Sequence, residues 1–213
     1  MDDPENHPEA APSDLFLDRL LDAMLRVAPE LGWTQAAIDM AARQAGLSPG
    51  QALLSAPNGA SDVLEALGRR TAKAAGQAVK AADNHKVRQK VRAGVKGWLA
   101  AHDGHKPALK RAAATPANLL AGPKSLWAAS DAIWTALGDT STDYNWYTKR
   151  MTLVAVLGST FTAWMGTDDE VEIDAFLDRR IENVMQFEKL KSQAKDAFAK
   201  MPDPMDVLGS RKT

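Results

Sequence analysis

The chain contains no cysteine, which excludes disulfides, thiolate metal sites, iron–sulfur clusters and a cysteine nucleophile. Histidine is scarce: His7, His85, His102 and His105 leave little for a zinc or di-iron site. Neither charge sign dominates, with 26 basic and 27 acidic residues among 213 and a net charge of −1, so nothing pulls the whole molecule toward nucleic acid. The charge-free run Met151 to Gly166 falls short of the ~20 apolar residues a membrane span requires. The N-terminal stretch MDDPENHPEAAPSD is acidic and proline-rich, unlike a secretory signal or an arginine-rich transit peptide. The expectation is a soluble or peripheral protein of a reducing compartment, or at least one that needs no oxidising one; the absence of a transit peptide points to a bacterial cytoplasm with the inner membrane as working surface, although a mature organellar chain would look similar.

Strand-like alternation is also missing, and helical spacing dominates a sequence rich in Ala, Leu, Lys and Gln. The spacing of Leu17, Leu21, Met24, Ala28 and Leu31 predicts a first helix from Asp14 to Leu31 with Ser13 as its cap. Thr34 caps a second helix, with Trp33 and Ile38 as a hydrophobic staple, and Ser48-Pro49-Gly50-Gln51 reads as a capping box opening a short third one. Ser61 starts a longer helix. Two helices, a glycine turn and a short third helix resemble a helix-turn-helix, and its place at the start of an all-helical chain resembles the TetR class of regulators.

Charge argues against DNA readout through this element. From Leu31 to Gly68 the one basic residue is Arg43, and the third helix offers Gln51 as its polar reader. From Arg69 to Arg111, by contrast, 12 basic residues accompany two acidic ones. That segment either faces anionic headgroups or an acidic partner, or forms the solvated faces of two helices near Ser61 to Ala82 and His85 to Ala101. Its alanine-rich inner positions predict a weak core face. His102-Asp103-Gly104-His105 reads as a loop with two exposed histidines rather than a metal site.

The C-terminal half is more distinctive. Pro116 to Leu137 reads as one helix with two faces, Leu126, Ser130, Ile133 and Leu137 on one and Trp127, Asp131 and Trp134 on the other. The next helix opens at Asp143-Tyr144-Asn145-Trp146-Tyr147-Thr148-Lys149-Arg150 and continues without charge to Met165, which predicts burial or a cavity lining on every side. Thr167 to Glu170 reads as a capping box for a helix striped with Ile173, Leu177, Ile181, Val184 and Met185.

The segments Leu126-Trp127, Asp131-Ala132-Ile133-Trp134, Gly138-Asp139-Thr140-Ser141-Thr142 running into Asp143 to Arg150, and Phe176-Leu177-Asp178-Arg179-Arg180-Ile181 closely resemble the coenzyme Q biosynthesis protein nine (COQ-nine) family. The resemblance covers roughly residues 14 to 205. It implies a TetR-like, usually dimeric helical fold that is not a conventional regulator. It further implies an isoprenoid or quinone-precursor lipid held in an apolar cavity and presented to a di-iron demethoxyubiquinone hydroxylase at the membrane. Asp143, Trp146 and Tyr147 match the family's patch for that hydroxylase, and a terminal membrane-docking helix is expected between Phe187 and Met201.

The residues add to this on their own account. Phe187, Leu190, Ala194, Phe198 and Met201 recur at helical spacing beside Lys189, Lys191, Lys195 and Lys200, a pattern for an interfacial helix or for a packed terminal one. Trp146 and Tyr147 cannot both face inward, because neighbours on a helix differ by ~100°. An exposed aromatic beside Asp143 and Arg150 is a candidate partner contact. Trp127, Trp134, Val154, Leu157, Phe161, Trp164 and Met165 are the candidate lipid-lining residues, with ordinary core packing as the alternative.

The resulting organisation is an acidic tail (1–13), a helix-turn-helix-like module (14–68), a helical lipid-binding domain (69–186) and an amphipathic helix with a tail (187–213). No cofactor is expected apart from the lipid. An enzyme is disfavoured: Gly94-Val95-Lys96-Gly97 lacks phosphate-loop spacing, and Asp168, Asp169, Glu170 and Glu172 resemble a helix start rather than an acid–base pair. The alternative function is a ligand-responsive, TetR-like transcription regulator.

Overall fold

The computed structural model describes residues 11–82, 86–118, 121–142 and 144–199, and among these every regular element is a helix. The all-α expectation is borne out. The elements are α1 (Pro12–Leu31), α2 (Gln35–Gln44), α3 (Pro49–Ser55), α4 (Ala60–Ala81), α5 (Val87–Ala100), α6 (Lys106–Ala113), a 3₁₀ turn (Pro116–Asn118), α7 (Ala121–Ala136), α8 (Tyr144–Gly166) and α9 (Glu170–Ala199).

Local signals set most boundaries. Thr34 caps α2, its hydroxyl accepting from the Ala37 amide at 3.2 Å, and Ser48 and Gln51 form the reciprocal box at the start of α3. α1 begins one residue before Ser13, at Pro12, because the fixed φ of proline is already helical and its missing N–H would be unpaired there anyway. The single helix expected from Pro116 is instead a 3₁₀ turn followed by α7 at Ala121. That start leaves Pro123 in the first turn, where the absent donor costs nothing; a start at Pro116 would put it in the interior. Asp169, not Thr167, caps α9, its carboxylate accepting from Val171 N at 2.9 Å and Glu172 N at 3.2 Å.

Three features lie outside the sequence expectations. Lys106–Ala113 is a helix, and it puts His102 at 3% exposure inside the bundle, so the loop with two exposed histidines holds only a half-buried His105. α8 is not buried all round: Tyr144, Tyr147, Met151 and Ala155 make an exposed stripe along it. α9 runs unbroken past residue 186. Among the described residues, no helix is long and apolar enough to cross a membrane.

α4 is the central helix, packed chiefly against α7 and α5, while α1 gathers α2, α3 and α6 around its apolar face. Leu20, Leu21 and Met24 on that face are fully buried. α6 locks the N-terminal module to the body: Trp33 donates its indole N–H to Ala108 O at 2.8 Å, and Arg111 donates to Pro29 O and Glu30 O at 3.1 and 2.8 Å. α1 has no basic residue in its last turn, so Arg111 supplies the positive charge its C-terminal carbonyls favour.

The basic segment is largely consumed within the molecule. Arg70 pairs with Asp18 and Asp22 of α1, and Arg88, Arg92 and Lys96 of α5 pair with Glu182, Asp178 and Asp174 of α9 in an antiparallel ladder. Arg92 also reaches Asp174 at 3.0 Å. Segregated along the chain, the charges are complementary in space.

Candidate functional site

The first turns of α8 stand on a buried ionic cluster. Arg150 is 2% exposed; its Nε donates to Asp131 at 2.7 Å and one terminal nitrogen to Asp139 at 3.1 Å. Lys149 donates to Asp139 at 2.7 Å and to the Ser141 hydroxyl at 2.8 Å. The hydrogen bond from Lys149, joined by those from Ser141 and Arg150, outweighs burial and pushes the Asp139 carboxyl down to about 2. Two further bonds tie α8 to α7, from Ser130 Oγ to Arg150 O at 2.9 Å and from Trp134 Nε1 to Lys149 O at 3.2 Å. Both faces of α7 therefore hold the start of α8, Ser130 from one and Asp131 and Trp134 from the other.

Above this cluster lie the aromatics. The Arg150 guanidinium sits 4.0 Å from the Trp146 ring centre, Trp146 meets Tyr147 edge-on at 4.7 Å, and Trp127 meets Trp146 at 5.7 Å. Tyr147 is 60% exposed and Trp146 half-buried, as the helical geometry of neighbours requires. Arg150 does not reach the surface, so its expected partner contact gives way to a positioning role under Trp146. Asp143 lies outside the described residues. Met201 does too, as do the side chains of Phe187, Leu190 and Phe198, so the membrane-facing expectation falls where the structure describes no side chain.

The seven candidate lipid-lining residues do not share one cavity. Trp127 belongs to the surface cluster. Trp134 lines an apolar groove of about 320 Å³ between α5, α7, α8 and α9. Trp164 borders a polar cleft, where the Lys106 ammonium lies 4.5 Å over its ring. Leu157 is fully buried core, Val154 is half-buried, and Met165 packs against the core. Of the seven, Phe161 lines a pocket of about 480 Å³ that opens to the surface at Ala113, Gly122 and Thr162, and whose walls are otherwise Leu64, Leu67, Trp98, His102, Leu109, Asn118, Ser125 and Leu126 with their small neighbours. The wall is shared between α4, α6 and the residues Trp98, His102 and Asn118 on one side and the apolar helices α7 and α8 on the other, and none of the alanines from Ala72 to Ala82 belongs to it. Trp98 and His102, one turn apart, were the available signal.

His102 is held neutral. Burial is the main cause of a pKa lowered from 6.5 to about 4, against the raising effect of its Nδ1–H bond to Trp98 O at 2.8 Å. Between pH 6.5 and 4 the unfolded chain takes up a proton that the native state refuses, so stability falls as the pH drops through that window. The expected loss from pH 7 to pH 5 is about 2 kcal/mol, read as a lower urea midpoint, and His102→Gln should flatten it.

Among the described residues, no cluster of three or more His, Asp or Glu could hold a metal ion. The exposed face of α3 carries Leu53 and Leu54 rather than polar readers.

Comparison with known proteins gives relatives for the chain. Residues 119–188 match the family model described as COQ9. "Ubiquinone biosynthesis protein COQ9, mitochondrial" of Rattus norvegicus is 28% identical over 191 residues, covering 83% of this chain and 61% of that protein. The proteins of the same name from Homo sapiens and Bos taurus are 27% and 28% identical over 191 residues, with 83% of this chain and 60% of each relative covered. The chain thus spans about three-fifths of the length of the curated relatives it matches. Their mitochondrial location overturns the expected bacterial cytoplasm.

Proposed function

With the COQ9 family supported by these matches, we propose that the chain is an accessory protein of ubiquinone biosynthesis, binding an isoprenoid quinone precursor in the pocket that Phe161 lines and presenting it to a membrane-associated di-iron hydroxylase. The observation that carries the reading is the cavity itself. Its about 480 Å³ lies within the ~300–1,000 Å³ of small-molecule sites, and its walls are apolar with a few polar atoms. The exposed aromatic stripe of α8 is assigned to the hydroxylase, because an aromatic anchored on a rigid buried base loses little entropy on docking. Membrane docking is assigned to the segment from Phe187 to Met201 on its sequence pattern alone.

The direct test is mass spectrometry of organic extracts from natively purified protein beside a control of similar size. Enriched quinones or isoprenoid precursors support the reading; a clean extract from well-folded protein sinks the lipid-presenting part. The partner surface is tested separately. Tyr147→Ala should weaken hydroxylase binding by at least tenfold, about 1.4 kcal/mol, with far-UV dichroism and melting temperature unchanged. Tyr147 is the cleaner probe than Trp146, because a lysine in place of Trp146 would set a second cation against Arg150.

A further inference from the structure

The turn from α3 into α4 reads Pro57-Asn58-Gly59, and the sites described above make no use of it. An asparagine followed by glycine is the pair at which a carboxamide closes most readily into an imide. Glycine has no Cβ to hinder its own amide nitrogen as it approaches the preceding side chain. Asn58 is exposed, so water and hydroxide reach it. The fold itself calls for the glycine: Gly59 has a φ of +64°, and a Cβ there would press on Ile38 at 3.3 Å.

Hydrogen bonds hold both groups that would react. The Asn58 carboxamide donates from Nδ2 to Asp62 Oδ1 at 3.1 Å, and the Asn58 backbone N–H donates to Asp62 Oδ2 at 2.7 Å. The nucleophile of the ring closure, the Gly59 amide, donates to Ala56 O at 2.9 Å. An N–H bonded in this way yields its proton to base only when the turn opens. A carboxamide clamped to a carboxylate is not free to turn its carbon toward the next nitrogen. The Gly59 carbonyl accepts from Asp62 N at 3.1 Å and Val63 N at 3.4 Å, so the same residue also starts α4.

We infer that Asn58 is a site of spontaneous deamidation whose rate Asp62 governs, the carboxylate keeping it an amide while the turn is closed. Hydroxide takes the Gly59 amide proton, and the nitrogen attacks Asn58 Cγ. The N–Cγ bond forms, the Cγ–Nδ2 bond breaks, and Nδ2 leaves as ammonia with a proton from water, which restores the hydroxide. Water then opens the imide at either carbonyl. One opening gives aspartate; the other gives isoaspartate, with the main chain rerouted through the side-chain carboxyl. Water is the one reagent consumed, and no electrons are transferred. Either product sets a new carboxylate against Asp62 where a donor stood, and isoaspartate adds a methylene to the main chain just before α4. α4 carries Leu64, Leu67 and Gly68 of the pocket wall, so the change bears on the pocket as well as the turn.

The test is incubation of the full chain in mildly alkaline buffer, followed by tryptic digestion and mass spectrometry. The peptide from Gln44 to Arg69 holds Asn58 as its one asparagine. Asp62→Ala should convert Asn58 about tenfold faster than the parent, the worth of a hydrogen bond to a charged group. Isoaspartate should be the main product, the mark of the imide route. Glu65→Ala removes another exposed acid of α4, one paired with Arg69, and should leave the rate within about twofold. An Asn58 that converts no faster in Asp62→Ala than in the parent overturns the inference. Equal acceleration by Glu65→Ala does so too, since it would show a general loosening of α4. Aspartate as the sole product would mean direct hydrolysis, which overturns the ring closure.

Discussion

Asp139→Asn should lower the stability of the protein by about 3 kcal/mol, a fall of roughly 6–12 °C in melting temperature for a chain of this size. The substitution preserves shape and removes one charge. Asp139 is buried, with a side-chain exposure of 5%, and faces the equally buried Arg150 and the half-exposed Lys149. Removing one partner of a buried pair leaves the other desolvated, which is far worse than losing a surface ion pair. Asp131 still holds the Arg150 Nε, but its own side chain is 46% exposed, so Asp131→Asn should cost only about 1 kcal/mol. The order of the two losses is the test: equal effects would mean that burial does not govern this cluster. Because Asp139 titrates near 2, its contribution persists until the pH falls below about 4, and the loss between pH 7 and pH 5 belongs to His102. Asp139→Asn should also shift Trp146 fluorescence, since Arg150 positions that ring.

Gly97→Ala should destabilise by about 2 kcal/mol although alanine is the better helix former by ~1 kcal/mol. A methyl on Gly97 would run into the Ala78 methyl and stand 3.2 Å from Ala74 O. Neither neighbour can swing aside, one being a methyl on α4 and the other its backbone, so α5 must move off α4 as a body. The same substitution at Gly122 of α7, where a methyl meets nothing within 4 Å, should be neutral or stabilising by a few tenths of a kcal/mol. Gly97→Ala combined with Ala78→Gly should recover part of the loss, as residues in direct contact are coupled. If thermal melts rank Gly97→Ala level with Gly122→Ala, the α4–α5 contact is looser than the geometry requires. Trp98 follows Gly97, so a displaced α5 should reshape the pocket it lines too.

These two sites mark where reading along the chain stops being sufficient. Ala72, Ala74, Ala75 and Ala78 count as weak when a face is judged by the area each side chain covers. In the folded molecule Ala74 and Ala78 let α4 approach Gly97 of α5 closely, so small size is the useful property. Likewise Arg150, one residue beyond Lys149 and beside two aromatics, has the local pattern of a surface contact. What buries it are Asp131 on α7 and Asp139 in the turn, 19 and 11 residues earlier. Sequence spacing shows which side chains share a helix face, but not what is laid against that face.

Reading along the chain suffices for the all-helical class, the caps of α2 and α3, the stripe of α9 and the resemblance that points to ubiquinone biosynthesis, because these depend on residues within one or two helical turns or on a contiguous segment. Tertiary structure alone decided that the basic segment is matched by α1 and α9, and that His102 is buried and neutral. It also decided that the pocket draws its wall from α4 and α6 as well as from the apolar helices α7 and α8, so that most of the expected lining residues lie elsewhere. Each of these turns on charges, volumes and donors brought together from distant positions, and no periodicity along the chain records which helices will meet.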